Sequence, residues 1–262
     1  MARVQTSLGL SIGYSDSGVG EKTPVVFLHG VGSDKSVWHP QLEAFGRERR
    51  AIGFDYPGYG DSDPAVEGTT RDDYAAAILS AMRELGVERA HICGLSLGGV
   101  VGIAIHAANP GACASLILAD TFAIHPDGQA IYERSVGASE NMPAMAEART
   151  DVLLAQPADP AVRTEVIETM AKIDPAAFRI GAEAVWLADQ RDRVHNICAP
   201  TLVICGAEDH ITSPALSHEL TRLIPGARYE EIENAGHLTN LEKPDEFNTL
   251  VGAFIRGVDS RS

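Results

Sequence analysis

A ten-residue stretch that begins at Ala90 constrains the fold of this chain more than any other part of the sequence. The stretch, Ala90-His-Ile-Cys-Gly-Leu-Ser-Leu-Gly-Gly99, joins a short apolar run to a segment of small residues with helical periodicity. Ser96 stands between Gly94 and Gly98 in the pattern G-x-S-x-G, with a strand signal before it and a helix signal after it. A strand that turns abruptly into a helix crowds its own backbone, and glycines leave room on both sides of a strained serine. The sequence therefore predicts a sharp strand–turn–helix unit with Ser96 at the turn.

Ser96 has surroundings that are typical of a nucleophile. At the N-terminus of the predicted helix the backbone N–H of Leu97 has no acceptor within the helix, and the helix dipole favours negative charge there. An amide in that position can donate a hydrogen bond to the oxyanion that forms when a nucleophile attacks a carbonyl carbon. We therefore predict that Ser96 is a catalytic nucleophile and that Leu97 N–H helps to hold the oxyanion. The alternative is a serine in an ordinary tight turn.

Apolar runs of strand length alternate with helical segments on both sides of this unit. Runs that are apolar along their whole length are typical of parallel strands covered by helices on both faces of a sheet. Residues 3–16 alternate weakly and contain two glycines, which predicts a hairpin at the sheet edge. The predicted fold class is therefore α/β, with a mostly parallel sheet. The further predicted strands are 24–28, 50–54, 114–119, 200–206 and 228–232, and the predicted helices include 70–85, 214–223 and 244–255.

Residues 122–195 break this alternation. A chain of 262 residues is long enough for one α/β domain with an insertion. We therefore predict a core formed by residues 1–121 and 196–262, and an inserted helical cap formed by residues 122–195. Residues 257–262 are expected to fray. The cap has no convincing strand, and its helical patterns fall at 130–139, 142–154, 160–173 and 176–187.

A glycine loop follows the predicted strand 24–28. Its sequence is His29-Gly-Val-Gly-Ser33, and it lacks the lysine and hydroxyl residue of a phosphate-binding G-x-x-x-x-G-K-[ST] loop. Two N–H groups must converge on one oxyanion, so a glycine loop near the serine turn suits a second donor. We predict that Val31 N–H is that donor, and that His29 braces the loop rather than exchanging protons.

A serine nucleophile needs a base. The chain has nine histidines, most of them on predicted helices, strand starts or cap positions where a solvated or packed imidazole suffices. His237 differs, because the segment Glu233-Asn-Ala-Gly-His237 follows the last predicted strand and so lies at the carboxyl edge of the sheet. We predict that His237 is the base.

The base in turn needs an acid that orients it. Asp209 lies just past the end of a predicted strand, in the segment Cys205-Gly-Ala-Glu-Asp-His210. The chain order Ser96, Asp209, His237 matches the order of this type of triad, and we therefore predict Asp209 as the acid. Asp120 also closes a strand and could reach the histidine from the adjacent strand end, so it is the rival.

The composition argues against several classes of partner. The chain has 21 basic and 36 acidic side chains, a formal net charge of −15 at pH 7 and a pI near 4.9. A surface of that charge repels nucleic acids and anionic membranes. No signal-peptide pattern or long apolar run is visible, and the four cysteines form no C-x-x-C pair. We expect a soluble cytoplasmic protein with reduced cysteines, as a monomer or a homodimer.

The motifs described so far resemble those of the α/β-hydrolase superfamily. The matching positions are His29-Gly30, the turn at 94–98, the segment 206–209 and Gly236-His237. Within the superfamily, segments 32–38, 200–204 and 237–248 are most similar to the 3-oxoadipate enol-lactonase group and its carboxylesterase relatives. The resemblance implies eight strands, a cap over the site, and Val31 and Leu97 as oxyanion donors. Lactonase-like sequences tend to have a polar residue and an arginine where this chain has His29 and Pro57, so the exact lactone is not carried over.

Together these residues predict a serine hydrolase of carboxylic esters or lactones. His237, held by Asp209, would take the proton of Ser96, and water would then release the acid from an acyl-enzyme on Ser96. No H-E-x-x-H motif or paired Cys/His spacing occurs, and we expect no metal or organic cofactor.

The substrate pocket is expected to use aromatic side chains. If the substrate carries a carboxylate, an arginine of the cap such as Arg134 or Arg179 would pair with it. The expected aromatic walls are Trp38, Phe122, Tyr132 and Trp186.

Three other functions remain compatible with the same residues. A carbon–carbon bond hydrolase acting on a ring-cleavage diketone would use the same triad, and so would a cofactor-free perhydrolase. A ligand receptor built on this fold, in which hydrolysis is slow or incidental, is the third. A substrate panel, peroxide-dependent halogenation and ligand-dependent capture of a partner protein would distinguish these functions.

Overall fold

An eight-stranded sheet runs through the molecule. The structure is a computed structural model that describes residues 2–261. The strands lie side by side in the order β1-β2-β4-β3-β5-β6-β7-β8, and only the contacts β1–β2 and β2–β4 are antiparallel. The strands are β1 (Ala2–Gln5), β2 (Ser11–Ser17), β3 (Val25–Leu28), β4 (Ala51–Phe54), β5 (Ala90–Leu95), β6 (Cys113–Ala119), β7 (Thr201–Gly206) and β8 (Arg228–Ile232). The predicted α/β class, the edge hairpin and the eight strands implied by the resemblance are confirmed.

The burial of the central strands explains their apolar sequences. Every residue of β3, β5, β6 and β7 is buried, as expected for parallel strands covered on both faces. Because these strands are parallel, the loops that follow them all leave the sheet at its carboxyl edge. The sheet therefore brings together chain segments that are far apart in sequence.

Helices flank the sheet. Helix α2 begins with a capping box, in which Thr70 accepts from the backbone N–H of Asp73 and the Asp73 carboxylate accepts from the backbone N–H of Thr70. Helix α2 packs on α3, and α1 packs on α11. No helix among residues 2–261 is long and apolar enough to cross a membrane. The core helices are α1 (His39–Phe45), α2 (Arg71–Glu84), α3 (Leu97–Ala108), α9 (Pro214–Leu223), α10 (Thr239–Glu242) and α11 (Pro244–Asp259).

Between β6 and β7 the chain is mostly helical, and we call this segment the insertion. Asp159 and Asp174 cap its third and fourth helices, each followed by a proline that cannot donate a backbone hydrogen bond and suits the first helical turn. The two ends of the insertion meet where Ile124 bridges Asp189. The insertion contains α4 (Gly128–Ala138), α5 (Met142–Leu153), α6 (Pro160–Met170), α7 (Pro175–Trp186) and α8 (Arg191–Val194).

The frayed C-terminal tail predicted for residues 257–262 is wrong for its first part. Helix α11 continues to Asp259, whose carboxylate accepts hydrogen bonds from Arg49 Nη2 at 2.9 Å and from the ring of His91 at 3.0 Å. These contacts anchor the last turn of the helix to the core. Ser262 lies outside the described residues.

The cysteines are free thiols. Cys93, Cys113 and Cys205 are buried, and Cys198 is exposed. Burial raises the pKa of Cys93 well above its ordinary value and that of Cys113 to about 12. These two thiols are therefore protonated, and they fill space in the core.

Candidate active site

The serine turn has the strained geometry that its glycines suggest. Ser96 lies between β5 and α3 with φ 55° and ψ −114°, a backbone conformation that residues with a Cβ rarely adopt. A Cβ on Gly94 would collide with the backbone of Gly98, and one on Gly98 would collide with the carbonyl of Leu28 in β3. The backbone N–H of Ser96 donates to Ala119 O at 2.9 Å. Close packing on both sides therefore holds Ser96 at the turn.

His237 and Asp209 form a hydrogen-bonded pair. Asp209 Oδ2 accepts from His237 Nδ1 at 2.9 Å and from Thr212 Oγ1 at 2.7 Å. Its other oxygen, Oδ1, accepts from the backbone N–H groups of Ile211 and Thr212 at 2.7 and 2.9 Å. Both members of the pair are buried, and the hydrogen bonds to the carboxylate fix the plane in which it meets the imidazole.

The two groups stabilise each other's charged form. Burial opposes ionisation of Asp209, but the charge and hydrogen bond of His237, together with the hydrogen bonds from Thr212, lower its pKa to about 2. Burial likewise opposes protonation of His237, and the Asp209 carboxylate more than offsets it, so the pKa of His237 lies above its ordinary value. This arrangement favours an imidazole that accepts a proton at Nε2.

Asp120, the rival acid, faces different partners. Its Oδ1 accepts from the backbone N–H of Gly206 at 2.9 Å, and its Oδ2 accepts from Thr239 Oγ1 at 2.5 Å. Burial, with the nearby Asp209 charge, raises the pKa of Asp120 well above its usual range. The carboxyl group in hydrogen-bond contact with His237 is that of Asp209.

The glycine loop after β3 lies against the serine. A Cβ on Gly30 would approach the Cβ of Ser96 to 3.4 Å. The ring of His29 is bonded through Nδ1 to Gly30 O at 2.8 Å, and Tyr56 Oη donates to His29 O at 3.1 Å. Burial lowers the pKa of His29, so its ring is neutral. These contacts agree with the predicted bracing role of His29.

Val31 and Leu97 both have amides that are available for a ligand. Within residues 2–261, neither amide takes part in the backbone hydrogen bonds that join turns, loops and helix caps. Leu97 is the first residue of α3, so its N–H has no intrahelical acceptor. Val31 lines the same cavity as Ser96. An oxyanion site between the two segments stays a prediction.

A narrow cavity opens beside Ser96 and His237. Its walls come from the glycine loop, from the serine turn, from the His237 loop and from α5, α6 and α7 of the insertion. Most of the lining is apolar, as is usual for small-molecule sites. The apolar side chains that line it are Val31, Val37, Leu95, Leu153, Val166, Met170, Trp186, Leu238 and Leu241.

Of the four predicted aromatic walls, Trp186 lines this cavity and the other three lie elsewhere. Trp38 stacks on Phe27 in the core, with ring centroids 4.9 Å apart. Phe122 stacks on Trp186, with ring centroids 5.9 Å apart, and Tyr132 is half-buried on α4. The pocket prediction for Trp38, Phe122 and Tyr132 is therefore corrected. Aromatic side chains near a site also pack in the core, and the sequence does not distinguish the two roles.

The sequence interpretation missed Arg149. Arg149 lines the cavity, whereas Arg134 lines an outer groove and Arg179 donates to Ser139 Oγ. Among residues 2–261 no carboxylate pairs with Arg149, whose guanidinium donates to Ser135 Oγ at 3.2 Å and lies 6.0 Å from the centre of the Phe178 ring. Burial lowers its pKa to about 10, so it remains charged. Its position depends on the rotation of α5, which periodicity alone does not fix.

The insertion is bonded directly to the His237 loop. The backbone N–H of His237 donates to Leu153 O, at the end of α5, at 2.7 Å. Glu242 accepts from Ala155 N at 2.7 Å and from Gly236 N at 2.9 Å, and so bridges the two segments a second time. These bonds fix the end of α5 beside the imidazole.

Among the described residues, Asp120, Cys205 and Asp209 form a buried cluster whose possible metal-ligand atoms lie within 4.8 Å of one another. Both carboxyl groups already accept hydrogen bonds through each oxygen. Burial also raises the pKa of the Cys205 thiol. A protonated thiol and two engaged carboxyl groups suit a buried polar network better than a divalent cation.

Comparison with known proteins agrees with this fold. A family model described as the alpha/beta hydrolase family matches residues 25–250. Among curated proteins, 3-oxoadipate enol-lactonase 1 of Acinetobacter baylyi is 27% identical over 240 residues, which is 89% of each chain.

Two solved structures are close in shape. The enol-lactonase of Burkholderia xenovorans has a TM-score of 0.90 and 30% sequence identity, over 97% of this chain and 100% of that one. A malate-bound thermophilic esterase from Thermogutta terrifontis has a TM-score of 0.89 and 26% identity, over 98% of both chains. The likeness covers the insertion as well as the sheet.

Proposed function

This chain belongs to the alpha/beta hydrolase family, and on that basis we propose that it cleaves a carboxylic ester or lactone of a small molecule through an acyl-enzyme on Ser96. The enol-lactonase and esterase relatives support ester-bond hydrolysis. The observation that carries the proposal is the hydrogen bond of 2.9 Å between His237 Nδ1 and Asp209, beside a cavity that both Ser96 and His237 line.

In the first half of the reaction, Ser96 Oγ attacks the carbonyl carbon of the substrate and His237 Nε2 takes its proton. Asp209 keeps its negative charge and stabilises the imidazolium. The backbone N–H groups of Val31 and Leu97 donate to the oxyanion of the tetrahedral intermediate. The bond from carbon to the leaving oxygen then breaks, and that oxygen receives the proton from His237.

In the second half, water attacks the acyl carbon while His237 takes one of its protons. The bond from the acyl carbon to Ser96 Oγ breaks, the serine regains a proton, and the carboxylic acid leaves. An ester yields an alcohol in the first half, whereas the ring-opened alcohol of a lactone stays attached to the acyl group.

Steady-state hydrolysis by wild type and variants tests the proposal. The panel contains short and medium p-nitrophenyl esters and several lactones, and the variants are Ser96→Ala, His237→Ala and Asp209→Asn. We expect kcat to fall at least about a thousandfold in Ser96→Ala and His237→Ala. The matched control His195→Ala, at an exposed histidine away from the cavity lining, should keep wild-type activity.

The same panel separates the other functions. A wild type that is inert on every ester and lactone, or a Ser96→Ala variant as active as wild type, contradicts ester hydrolysis. Turnover below about one per minute, against the usual enzyme range of about 1–10³ per second, would instead favour a ligand receptor. Turnover confined to a diketone or to peroxide-dependent halogenation would favour the carbon–carbon hydrolase or the perhydrolase.

A further inference from the structure

The end of β6 contacts the serine turn from two sides. We call residues Ala119, Asp120 and Thr121 the β6 tip. Ala119 O accepts from the backbone N–H of Ser96 at 2.9 Å, and Thr121 Oγ1 donates to Ser96 O at 2.9 Å. The two hydrogen bonds engage both the backbone N–H and the backbone C=O of Ser96, and so hold the strained serine in place.

Asp120 extends the β6 tip to the other two loops of the site. Its Oδ1 accepts from Gly206 N at 2.9 Å, and Gly206 O in turn accepts from the N–H of Asp209 at 3.1 Å. Its Oδ2 accepts from Thr239 Oγ1 at 2.5 Å, two residues after His237. One carboxyl group therefore joins the segment that carries the acid to the segment that carries the imidazole.

The backbone of Asp120 is held in an unusual conformation. Its φ is 48°, in the left-handed region, and its side chain is fully buried. Such a conformation is unfavourable for a residue with a Cβ and persists where the surroundings determine it, often at functional sites. Asp and Asn tolerate it better than other residues with a Cβ, so an Asn variant can keep the same backbone.

We propose that Asp120 is a positioning residue, whose carboxyl group sets the distance between the Asp209 loop and the His237 loop while its neighbours Ala119 and Thr121 hold Ser96. This inference rests on the proposed function, because it assigns a role in the same site. Burial, with the nearby Asp209 charge, raises the pKa of Asp120, whereas the pKa of Asp209 is lowered to about 2, so Asp209 is the better placed of the two to carry the negative charge beside His237.

The role predicts a difference between two substitutions. Asp120→Asn is neutral and has the same shape, its oxygen can accept from Gly206 N, and its amide can donate to Thr239 Oγ1. We expect its kcat to stay within about threefold of wild type. Asp120→Ala removes both bonds and lets the two loops drift, and a misplacement of about 1 Å costs on the order of a hundredfold. Its kcat should fall about 10–100-fold, with KM within about twofold.

Thr239→Val provides a second route if Asp120→Ala fails to fold. It keeps the shape of the side chain and removes only the hydroxyl, and kcat should fall about 3–10-fold with KM unchanged. The matched control is Thr201→Val, at a buried threonine at the start of β7 whose hydroxyl donates to Ala199 O, and it should keep wild-type kcat.

A readout independent of turnover is the proton NMR signal of the hydrogen bond between His237 Nδ1 and Asp209. The signal should keep its chemical shift in Asp120→Asn and move or broaden in Asp120→Ala. A loss of a hundredfold or more in Asp120→Asn, with Ser96-dependent activity in wild type, would overturn the positioning role and make Asp120 the acid. Full kcat in both Asp120→Ala and Thr239→Val would also overturn it. A Ser96→Ala variant as active as wild type would instead reject the hydrolase itself.

Discussion

Opposing forces set the charge of His237. Burial favours the neutral ring, whereas the carboxylate of Asp209 favours the imidazolium and raises the pKa above its ordinary value. Arg149 acts weakly in the opposite direction. The base of the proposed reaction is the neutral ring, so the proposed activity rises with pH as His237 loses its proton.

A pH–rate profile should show this directly. We expect kcat/KM for a neutral ester to rise with pH, with a midpoint above about 6.5, the ordinary pKa of histidine. In Asp209→Asn the midpoint should move to lower pH, because the negative charge that favours the imidazolium is gone. Measurements from pH 5 to 9 check both profiles. A wild-type midpoint below that of Asp209→Asn would contradict the pairing.

Arg149 should discriminate between substrates by charge. Arg149 lines the cavity and has no carboxylate partner among residues 2–261, although Glu165 lines the same cavity, and a hydrogen bond from its guanidinium to an anionic group of the substrate contributes about 1.5–3 kcal/mol. For Arg149→Met we expect kcat/KM to fall about 10–100-fold for an ester with a remote carboxylate. For a neutral ester of equal length it should change by less than about threefold.

Arg179→Gln is the matched control for that substitution. Arg179 donates to Ser139 Oγ and lies outside the cavity lining, so its loss should affect both esters equally. Equal losses for the two esters in Arg149→Met would show that Arg149 has a structural role instead.

Sequence reasoning found the candidate triad because each member follows a strand of the same sheet. Chain order and glycine spacing were enough to select Ser96, Asp209 and His237. The hydrogen bond of His237 to Asp209 supports the choice of Asp209, and the catalytic roles stay predictions. The side chains that line the cavity were harder to predict, as Trp38 and Arg149 show. The rotation of a helix and the packing of its neighbours decide which side chain reaches a cavity.

A buried ionic network connects the loop after β4 to Lys35, two residues after the glycine loop. Asp55, at the end of β4, accepts from Lys35 Nζ at 2.7 Å and from the backbone N–H of Lys35 at 2.8 Å. Lys35 Nζ also contacts Asp61 Oδ2 at 2.6 Å. The carboxylate of Asp55 is fully buried, so its charge depends on these partners. The network joins the loop after β4 to the segment that follows Val31.

Removal of this carboxylate should destabilise the protein. In Asp55→Ala we expect a loss of about 3 kcal/mol in the free energy of unfolding, because Lys35 keeps a largely buried charge with one partner fewer. Urea unfolding measures the change. The comparison variant is Asp16→Ala, which breaks the half-buried pair with Arg50 and should cost at most about 1 kcal/mol. Similar losses in both variants would contradict the role of burial.

The elements were predictable where local chemistry marks their ends. The Asp-Pro pairs at 159–160 and 174–175 mark the starts of α6 and α7, and Thr70 marks the start of α2. The end of α11 was missed because its last turn is held by contacts with Arg49 and His91, which are distant in sequence. Tertiary contacts of this kind leave no local signal.

The net charge of −15 is a property of the whole molecule, and it repels polyanions such as DNA. We expect no binding of labelled duplex DNA up to about 100 µM protein at about 0.1 M salt, whereas non-specific DNA-binding proteins bind at about 1–100 µM. Fluorescence anisotropy checks this. A saturable rise in anisotropy would reveal a local basic surface that outweighs the net charge. The division into a core and a cap, and the cytoplasmic location, stay predictions.

The bond between His237 N–H and Leu153 O has a consequence for engineering. A cap grafted from a relative in place of residues 122–195 would have to present a carbonyl oxygen at the same point, or the base would lose its backbone anchor. We therefore expect a graft of this kind to alter the proposed catalysis together with the substrate preference. Libraries that vary α6, which reaches the cavity through Val166 and Met170, leave that anchor in place and offer the safer route to new substrates.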